Sequence, residues 1–386
     1  MTVAEAQESV DFSLSEDQEL LREQVRRFAE ERIAPGEAER DREHRFPAAI
    51  VAELAELGLL GMLVPEAYGG AGLEPLAYTI AIEELSRISP SIGVTVSVTS
   101  SVCSWPIARF GTEALKRRVL PELAAGALGG FALSEPGAGS DAASLATRAV
   151  RDGGDWVLDG EKAWITNAGH ARWFVVVART DPAAGKRGIS AFVVPADAPG
   201  LAVGAREEKI GLRSSHTAAL VFDGCRVPAG NLLGVEGQGF KIALATLDHS
   251  RLGIAAQAVG IHQRALELAT AYARDRVQFG VPIARHQAVQ FQIAEIATAL
   301  AAARLLTYHA ALAEDAADAG RRASQAKLFA SEAANRAVWL AQQIHGGNGF
   351  SEEYEIARLY RDVRVTTIYE GTSEMQRLVI ARHLLS

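Results

Sequence analysis

The strongest constraint on this chain is a double change of hydrophobic period. Up to about Gly130 apolar residues recur at helical spacing. From Phe131 to about Asn231 they come in short runs rich in Val, Phe and Ile, cut by turn formers, and from Gly237 onward helical spacing returns. Three stretches of different period in 386 residues predict three domains: 1–130 helical, 131–232 all-β and 233–386 a helical bundle. The expected fold class is mainly α with a central β domain.

In the first stretch, 12–33 carries Leu20, Leu21, Val25, Phe28 and Ala29 at helical spacing, and Pro35 with Gly36 is expected to stop it. Further helices are expected at 47–60, closed by Gly61, at 76–88, at 97–110, and at 121–128, ending in Gly129 and Gly130. In the second stretch, 147–150 and 156–158 flank an Asp-Gly-Gly-Asp turn and read as a hairpin. Strands are also expected at 173–178, 189–194 and 219–227. In the third, four long Ala- and Leu-rich segments (237–276, 282–313, 321–345 and 354–385, interrupted at 369–372) predict the bundle.

Composition removes several functions. There are 47 acidic and 39 basic side chains, a formal net charge of −8, and no basic patch interleaved with aromatics, so no nucleic-acid partner is expected. No continuous apolar run approaches the roughly 18–20 residues of a membrane span, and the first eleven residues lack a hydrophobic signal core, so no membrane is expected. Two distant cysteines exclude a disulfide framework and a cysteine zinc site and fit a reducing, cytoplasmic location. The nine histidines are scattered without ligand spacing, so no metal is expected.

Four local motifs carry possible chemistry. The segment 131–142 contains Gly137-x-Gly139-x-x-Ala142, formally a dinucleotide fingerprint; a hairpin follows instead of the helix that fingerprint requires. It is either a plain Pro-Gly turn or a loop offering backbone N–H and hydroxyl groups to a phosphate or flavin. Trp164 and Thr166, two apart on an expected strand, share one face that could hold an aromatic ring, or Trp164 is half-buried sheet packing. The Gly-rich break 343–350 lacks the P-loop Lys and reads as a helix C-cap. Glu370 sits beside Gly371 in the break at 369–372. It is either a general base exposed by that break, or a solvated Glu at a helix start with Thr372 as N-cap.

The order and spacing of these segments together resemble the acyl-CoA dehydrogenases, flavoenzymes of β-oxidation and amino-acid catabolism. The resemblance rests on Ala132 to Asp141, on Trp164 to Asn167, and on Arg276 to Ile283. It also rests on the 343–376 segment, with Arg361-Asp362-x-Arg364 and Ile368 to Gln376. It covers essentially the whole chain. It implies a helical N-terminal domain, a β-barrel-like middle domain and a C-terminal four-helix bundle, with FAD between them and a homotetramer in which a neighbour lends part of each FAD site.

Residue by residue, the resemblance implies that Phe131, Leu133, Ser134, Trp164, Ile165 and Thr166 surround the flavin ring, Thr166 near N5. Arg276, Gln278, Phe279 and Gln287 would meet the ADP half. Gln343, Ile344, Gly346 and Gly347 would do likewise from a partner subunit, and Thr372 and Glu374 would close the site. Gln278 and Glu374 stand where some relatives have Thr and Gln. Ser140, Asp248, Arg251 and Gly371 would hold the CoA portion or the thioester. Glu370 matches the catalytic base, taking the α-proton while the β-hydride passes to flavin N5. Relatives that place the base on an earlier helix have it at the position of Ser250, which speaks against an isovaleryl-type substrate. The 246–260 segment looks most like short-chain, butyryl-type members. Trp105 either shortens the acyl pocket or packs in the core. The expected substrate is a short acyl-CoA and the expected electron acceptor an electron-transfer flavoprotein. The alternatives are a short branched acyl-CoA, a carrier-protein thioester, an oxidase, or a non-catalytic flavin-binding member.

Overall fold

The computed structural model describes residues 13–314 and 316–385. The start of the expected first helix at Phe12 lies outside the described residues. Ser15 caps the first helix, α1 (Glu16–Phe28): its hydroxyl accepts from the Gln18 N–H while the Gln18 side chain accepts from the Ser15 N–H. Pro35 and Gly36 do not end this rod. A π-helical turn at Ala29–Ile33 leads into α2 (Ala34–Glu43), with Pro35 in its first turn, where a missing N–H is harmless. The same device recurs at α5 (Pro90–Ser97), the π-helical Val98–Ser104 and α6 (Trp105–Phe110), where Pro106 again follows the π turn by two residues. Between these rods lie α3 (Ala48–Glu56) and α4 (Pro75–Ile88).

The expected short helix at 121–128 is the end of a longer one, α7 (Glu113–Ala124), and Leu128–Ala132 is a strand, β1. Its glycines serve close approach: a Cβ on Gly129 would lie 2.4 Å from that of Cys103. The remaining strands of the central domain are β2 (Arg148–Asp152), β3 (Asp155–Thr166), β4 (Ala171–Arg179), β5 (Ile189–Pro195), β6 (Leu201–Arg206), β7 (Thr217–Pro228) and β8 (Leu232–Leu233). They form one sheet in the order β6-β7-β3-β2-β4-β5-β8, with β1 parallel to β4.

Strands β4 and β5 are buried on both faces. Phe174, Val176, Ala178, Phe192 and Val194 join the β domain's own core with Trp156 and Leu158. The alternate residues Trp173, Val175, Val177, Ile189, Ala191 and Val193 pack instead on Cys103, Ile107, Val119, Leu123 and Ile242 from helices. Period-two alternation thus feeds two different cores.

The C-terminal bundle consists of α8 (Gly239–Asp275), α9 (Gln287–Leu312) and α10 (Ala319–His345), followed by α11 (Glu355–Val363) and α12 (Ser373–Leu385). Its core is largely alanine, which lets the helix axes approach closely. At Gly260 α8 runs against α4: a Cβ there would sit 2.3 Å from the Glu83 carbonyl oxygen.

Two helices do reach the length and apolarity of a membrane span, contrary to the expectation from uninterrupted apolar runs: Pro90–Phe110, 89% buried, and Gln287–Leu312, 17% buried. Ser and Thr in the first, and Gln290, Gln292, Glu295 and Arg304 in the second, break the run without breaking the apolar average. The first is interior packing. The second buries Ile296, Leu300 and Ala303 and turns Phe291 and Leu305 outward.

The three domains meet at a buried ionic junction. Arg358 donates to the Ile88 carbonyl at 3.0 Å and lies 3.5 Å from Glu37 and 3.4 Å from Asp362. Asp362 accepts the Leu212 N–H at 2.6 Å, and Arg361 pairs with Asp41 at 2.5 Å. Burial pushes the Asp362 carboxyl up to about 6, against the pull of Arg358. The Arg361-Asp362 motif is therefore a clasp between domains.

Candidate active site

The break between α11 and α12 is built from two consecutive left-handed residues, Glu370 (φ 50°) and Gly371 (φ 91°). Thr372 then caps α12, its hydroxyl accepting the Met375 N–H at 3.4 Å. The turn is held from outside: Lys327 Nζ on α10 donates to the Gly371 carbonyl at 2.8 Å, and Gln376 Nε2 donates to the same carbonyl at 2.8 Å and to that of Glu370 at 3.3 Å.

This geometry turns the Glu370 side chain inward. The residue is half-buried, but Oε2 is shut off from solvent and has no hydrogen-bond partner among the described residues. Loss of water pushes its carboxyl from 4.5 up to about 7, while the Ser250 hydroxyl, Lys327 and Arg251 pull it down. The solvated-Glu reading thus fails for Glu370; the solvated acid of this turn is Glu374. Glu374 is exposed, and its carboxyl is held low by its own N–H and the Thr372 hydroxyl in the first turn of α12.

The second part of the site is the loop after β1. Lys162, fully buried, donates to the Leu133 carbonyl at 3.1 Å and to Glu135 at 2.7 Å. Glu135 also accepts the N–H groups of Ala146 at 2.6 Å and Thr147 at 3.0 Å. Burial lowers the Lys162 amine to about 8, and Glu135 opposes that shift. Both partners stay ionised near neutrality. This pair fixes the carbonyl between Phe131 and Ser134, and the Ala163 N–H donates to the Ser134 carbonyl at 2.9 Å.

Strand β3 does not run regularly through Trp164 as expected. The register shifts between Lys162 and Ile165, and Trp164 takes φ 62°. The bulge leaves Trp164 63% exposed, which overturns its reading as sheet packing, and it breaks the simple two-residue alternation with Thr166. The Ile165 side chain is buried in the β-domain core, so only its backbone is available to a ligand. Asn167 (φ 66°) anchors the turn, donating to Thr95 O at 3.2 Å and Gly129 O at 3.0 Å.

The two parts adjoin. Phe131 and Tyr369, the neighbour of Glu370, both pack on Val94, Val98, Val102 and Leu212. The Tyr369 hydroxyl bonds to Gln257, which also donates to the Pro90 carbonyl at 2.8 Å. Arg251, 5% exposed, is paired with Asp248 and donates to Ser324 at 3.2 Å. Ser140 is exposed on the loop, with no described contact to Asp248 or Arg251. Trp105 is half-buried and stacked on His249, ring centroids 4.5 Å apart, so the packing reading holds.

The remaining positions lie elsewhere. Arg276 and Gln278 share a cleft of about 320 Å³ with Ile344, Gly346 and Gly347. Gln287, Gln343 and Phe279 are exposed, Phe279 at 94% and with φ 54°. Among the described residues no hydrogen bond or ion pair joins this group to 131–134 or 164–166. The C-cap reading of Gly346 holds, since α10 ends at His345 and Gly346 takes φ 60°. Sequence reasoning missed Lys327, Gln257, Gln376 and the Glu135–Lys162 pair. Lys327 had a signal, a lone cation on the apolar Ala323, Ala326, Ala330, Ala334 face of α10.

The chain belongs to the acyl-CoA dehydrogenase family: the family's N-terminal, middle and C-terminal domains match residues 15–127, 130–225 and 237–385. It is 52% identical to the bovine mitochondrial short-chain specific acyl-CoA dehydrogenase, over 96% of this chain and 91% of that one. The fold superposes on butyryl-CoA dehydrogenase from Megasphaera elsdenii with a TM-score of 0.96 at 42% identity, covering 98% of this chain and 100% of that one. It superposes equally, TM-score 0.96 at 44% identity over 97% and 100% of the two chains, on a chain from work on the electron transferring flavoprotein of Acidaminococcus fermentans. The protein is an FAD-dependent oxidoreductase acting on acyl-CoA. The residues present fit that cofactor. An exposed Trp on a strained bulge offers a ring platform on the segment tied to the Ser134 carbonyl, and a Cβ at Gly346 or Gly347 would meet nothing within 4 Å.

Proposed function

We propose that this protein dehydrogenates a short-chain acyl-CoA between C2 and C3, with Glu370 as the base. The observation that carries this reading is the Glu370 Oε2, buried, unpartnered among the described residues and held near a pKa of 7, next to Tyr369, which packs with Phe131 on one apolar cluster. Such a carboxylate is ionised enough at neutral pH to accept a proton and basic enough to keep it. Bound FAD supplies the hydride acceptor for the C3 hydrogen. Phe131, Ser134, Trp164 and Thr166 would hold its ring, with Leu133 and Ile165 contributing through the backbone. Lys327 and Gln376 hold the Gly371 carbonyl, which fixes the direction in which Glu370 points. The Glu370 N–H, in the same strained turn, has no hydrogen-bond partner among the described residues and would donate to a thioester carbonyl, a contact worth about 3 kcal/mol once charge develops there. Arg251 and Asp248, paired beside Glu370, and Ser140 at the exposed rim are the positions we assign to CoA. The packed valines Val94, Val98 and Val102 beside Tyr369, together with the short-chain and butyryl-CoA relatives, support a short acyl group.

Arg276, Gln278, Gln287, Phe279, Gln343, Ile344, Gly346 and Gly347 are assigned to the ADP half of a neighbouring copy's cofactor, since they lie away from this chain's own flavin loop. The outward Phe279, Phe291 and Leu305 support a homotetramer. An electron-transferring flavoprotein is the proposed acceptor.

The test is an anaerobic titration of the purified yellow protein with butyryl-, isobutyryl-, 2-methylbutyryl- and octanoyl-CoA, followed by flavin absorbance. Butyryl-CoA is expected to bleach the flavin and octanoyl-CoA to do so poorly. A protein that holds FAD and is bleached by none of the four overturns the reading and points to carrier-bound thioesters.

A further inference from the structure

Three of the nine histidines gather at one seam, though no two are close in sequence. The turn after β3 follows directly on Trp164 and Thr166 at the strand's end and carries His170 at its far side. The His170 ring lies flat on Phe46 of the N-terminal domain, with centroids 3.6 Å apart and planes 12° from parallel. Its Nε2 is 2.8 Å from Nδ1 of His216. His216 Nε2 lies 3.0 Å from the His44 carbonyl, which also accepts from Arg206 at 2.9 Å. The His216 carbonyl accepts the N–H of Asn167 at 2.8 Å. His44 itself is left-handed (φ 52°), with Nδ1 3.2 Å from Glu208. This contact has no part in the proposed chemistry, yet it ties the flavin-bearing turn to the N-terminal domain through the side chains at its far end.

We infer that His170 and His216 form a neutral, hydrogen-bonded pair that positions the 164–170 turn against Phe46 and His44, and that charging both rings releases the turn and with it the flavin. Both are positioning residues, acting through Asn167 and the strained Trp164. This inference rests on the assignment of FAD to the turn.

The reasoning is one of proton count. Two ring nitrogens 2.8 Å apart accommodate one proton between them. When both rings are cations each facing nitrogen carries its own proton, and the bond becomes a contact between two charges. The His44 carbonyl favours a charged His216 ring, but the cations around it oppose that charge. Arg206 Nη1 is 3.2 Å from His216, and Lys209, which donates to the Ser215 carbonyl, faces it as well. Of the nearby carboxylates, Glu208 is engaged by Arg206 and His44, and Glu207 acts on Lys209. Arg45, beside Phe46, is taken up by Glu39 and Glu43. Burial pushes both histidines below their ordinary 6.5; His216 lowers His170 further, and for His216 the His44 carbonyl opposes burial while Arg206 and Lys209 reinforce it. A base whose pKa is depressed by folding gains protons on opening. The seam is therefore intact above the ordinary 6.5 and is lost as pH falls below it.

The test uses holoenzyme diluted into buffers between about pH 5 and pH 8, with FAD release read from recovery of flavin fluorescence. Wild type is expected to release FAD about tenfold faster at the acid end, the change carried by one coupled proton over one pH unit. His170→Phe keeps the stack on Phe46 but cannot charge, and its release rate is expected to vary less than about twofold over the same range. A purely structural seam would raise release equally at every pH. If His170→Phe keeps the wild-type acid dependence, or wild type has none, the inference is overturned. Hydrogen–deuterium exchange of 44–46 and 164–171 in wild-type apoprotein gives a second readout that needs neither variant nor flavin. Lower protection in both segments at the acid end, measured relative to the intrinsic exchange rate at each pH, supports the seam, and unchanged protection overturns it. A purified protein without FAD would instead refute the cofactor assignment.

Discussion

Replacing the proposed base should make the protein both inert and more stable, and the two effects can be separated by pH. Glu370 is held at about 7 instead of 4.5 because folding strips water from its carboxyl. At about 1.4 kcal/mol per pH unit this corresponds to at most about 3 kcal/mol of destabilisation when the group is charged. The sign follows from linkage. A carboxyl with a raised pKa binds its proton more tightly in the fold than in the open chain, so stability falls as pH rises from about 4.5 to about 7 and then levels off. Glu370→Gln removes that slope. The apoprotein variant should melt a few degrees above wild type at about pH 8 and together with it at about pH 4.5, where both side chains are neutral. Thermal unfolding by circular dichroism at the two pH values reads this difference. Turnover should fall about a hundredfold to ten-thousandfold, the usual worth of a general base, while FAD stays bound. A variant that melts no higher than wild type at the alkaline pH would refute the buried charge. Near-normal turnover would refute the role.

Three further outcomes follow from the packing. Lys162→Met leaves Glu135 buried and unpaired, so it should cost about 3–5 kcal/mol in urea unfolding, and adding Glu135→Gln should restore much of it. Lys327→Met removes a cation that lowers Glu370, so the acid limb of the pH–turnover profile should move to higher pH. Gly260→Ala would drive a methyl against the Glu83 carbonyl on α4, and the melting temperature should drop by the equivalent of about 1–3 kcal/mol.

The three-period pattern, the break at Glu370 and the loop after Phe131 were legible because each is local. What was not legible depended on contacts distant in sequence or on backbone geometry without a residue signature. Pro35 reads as a stop, but a π-helical turn before it lets the helix continue. Gly129 and Gly130 read as a helix end, whereas they are small because Cys103 and Phe174 press on a strand. Strand β6 is mostly exposed at a sheet edge and so lacks the alternation that would announce it. Lys162 and Glu135 are 27 positions apart, and Lys327 and Gly371 are 44 apart. No spacing rule pairs them. Trp164 looked like one of an alternating pair because a bulge cannot be seen in residue order.

The sheet with two cores has a mechanical consequence. Cutting out the β domain would leave Trp173, Val175, Val177, Ile189, Ala191 and Val193 facing water, so it is no portable cassette. Nor can it swing as a rigid flap, because a rotation large enough to open a cleft would shear those side chains from Ile107, Leu123 and Ile242. Substrate and product must pass by the bending of loops and the turning of side chains around a frame that stays closed.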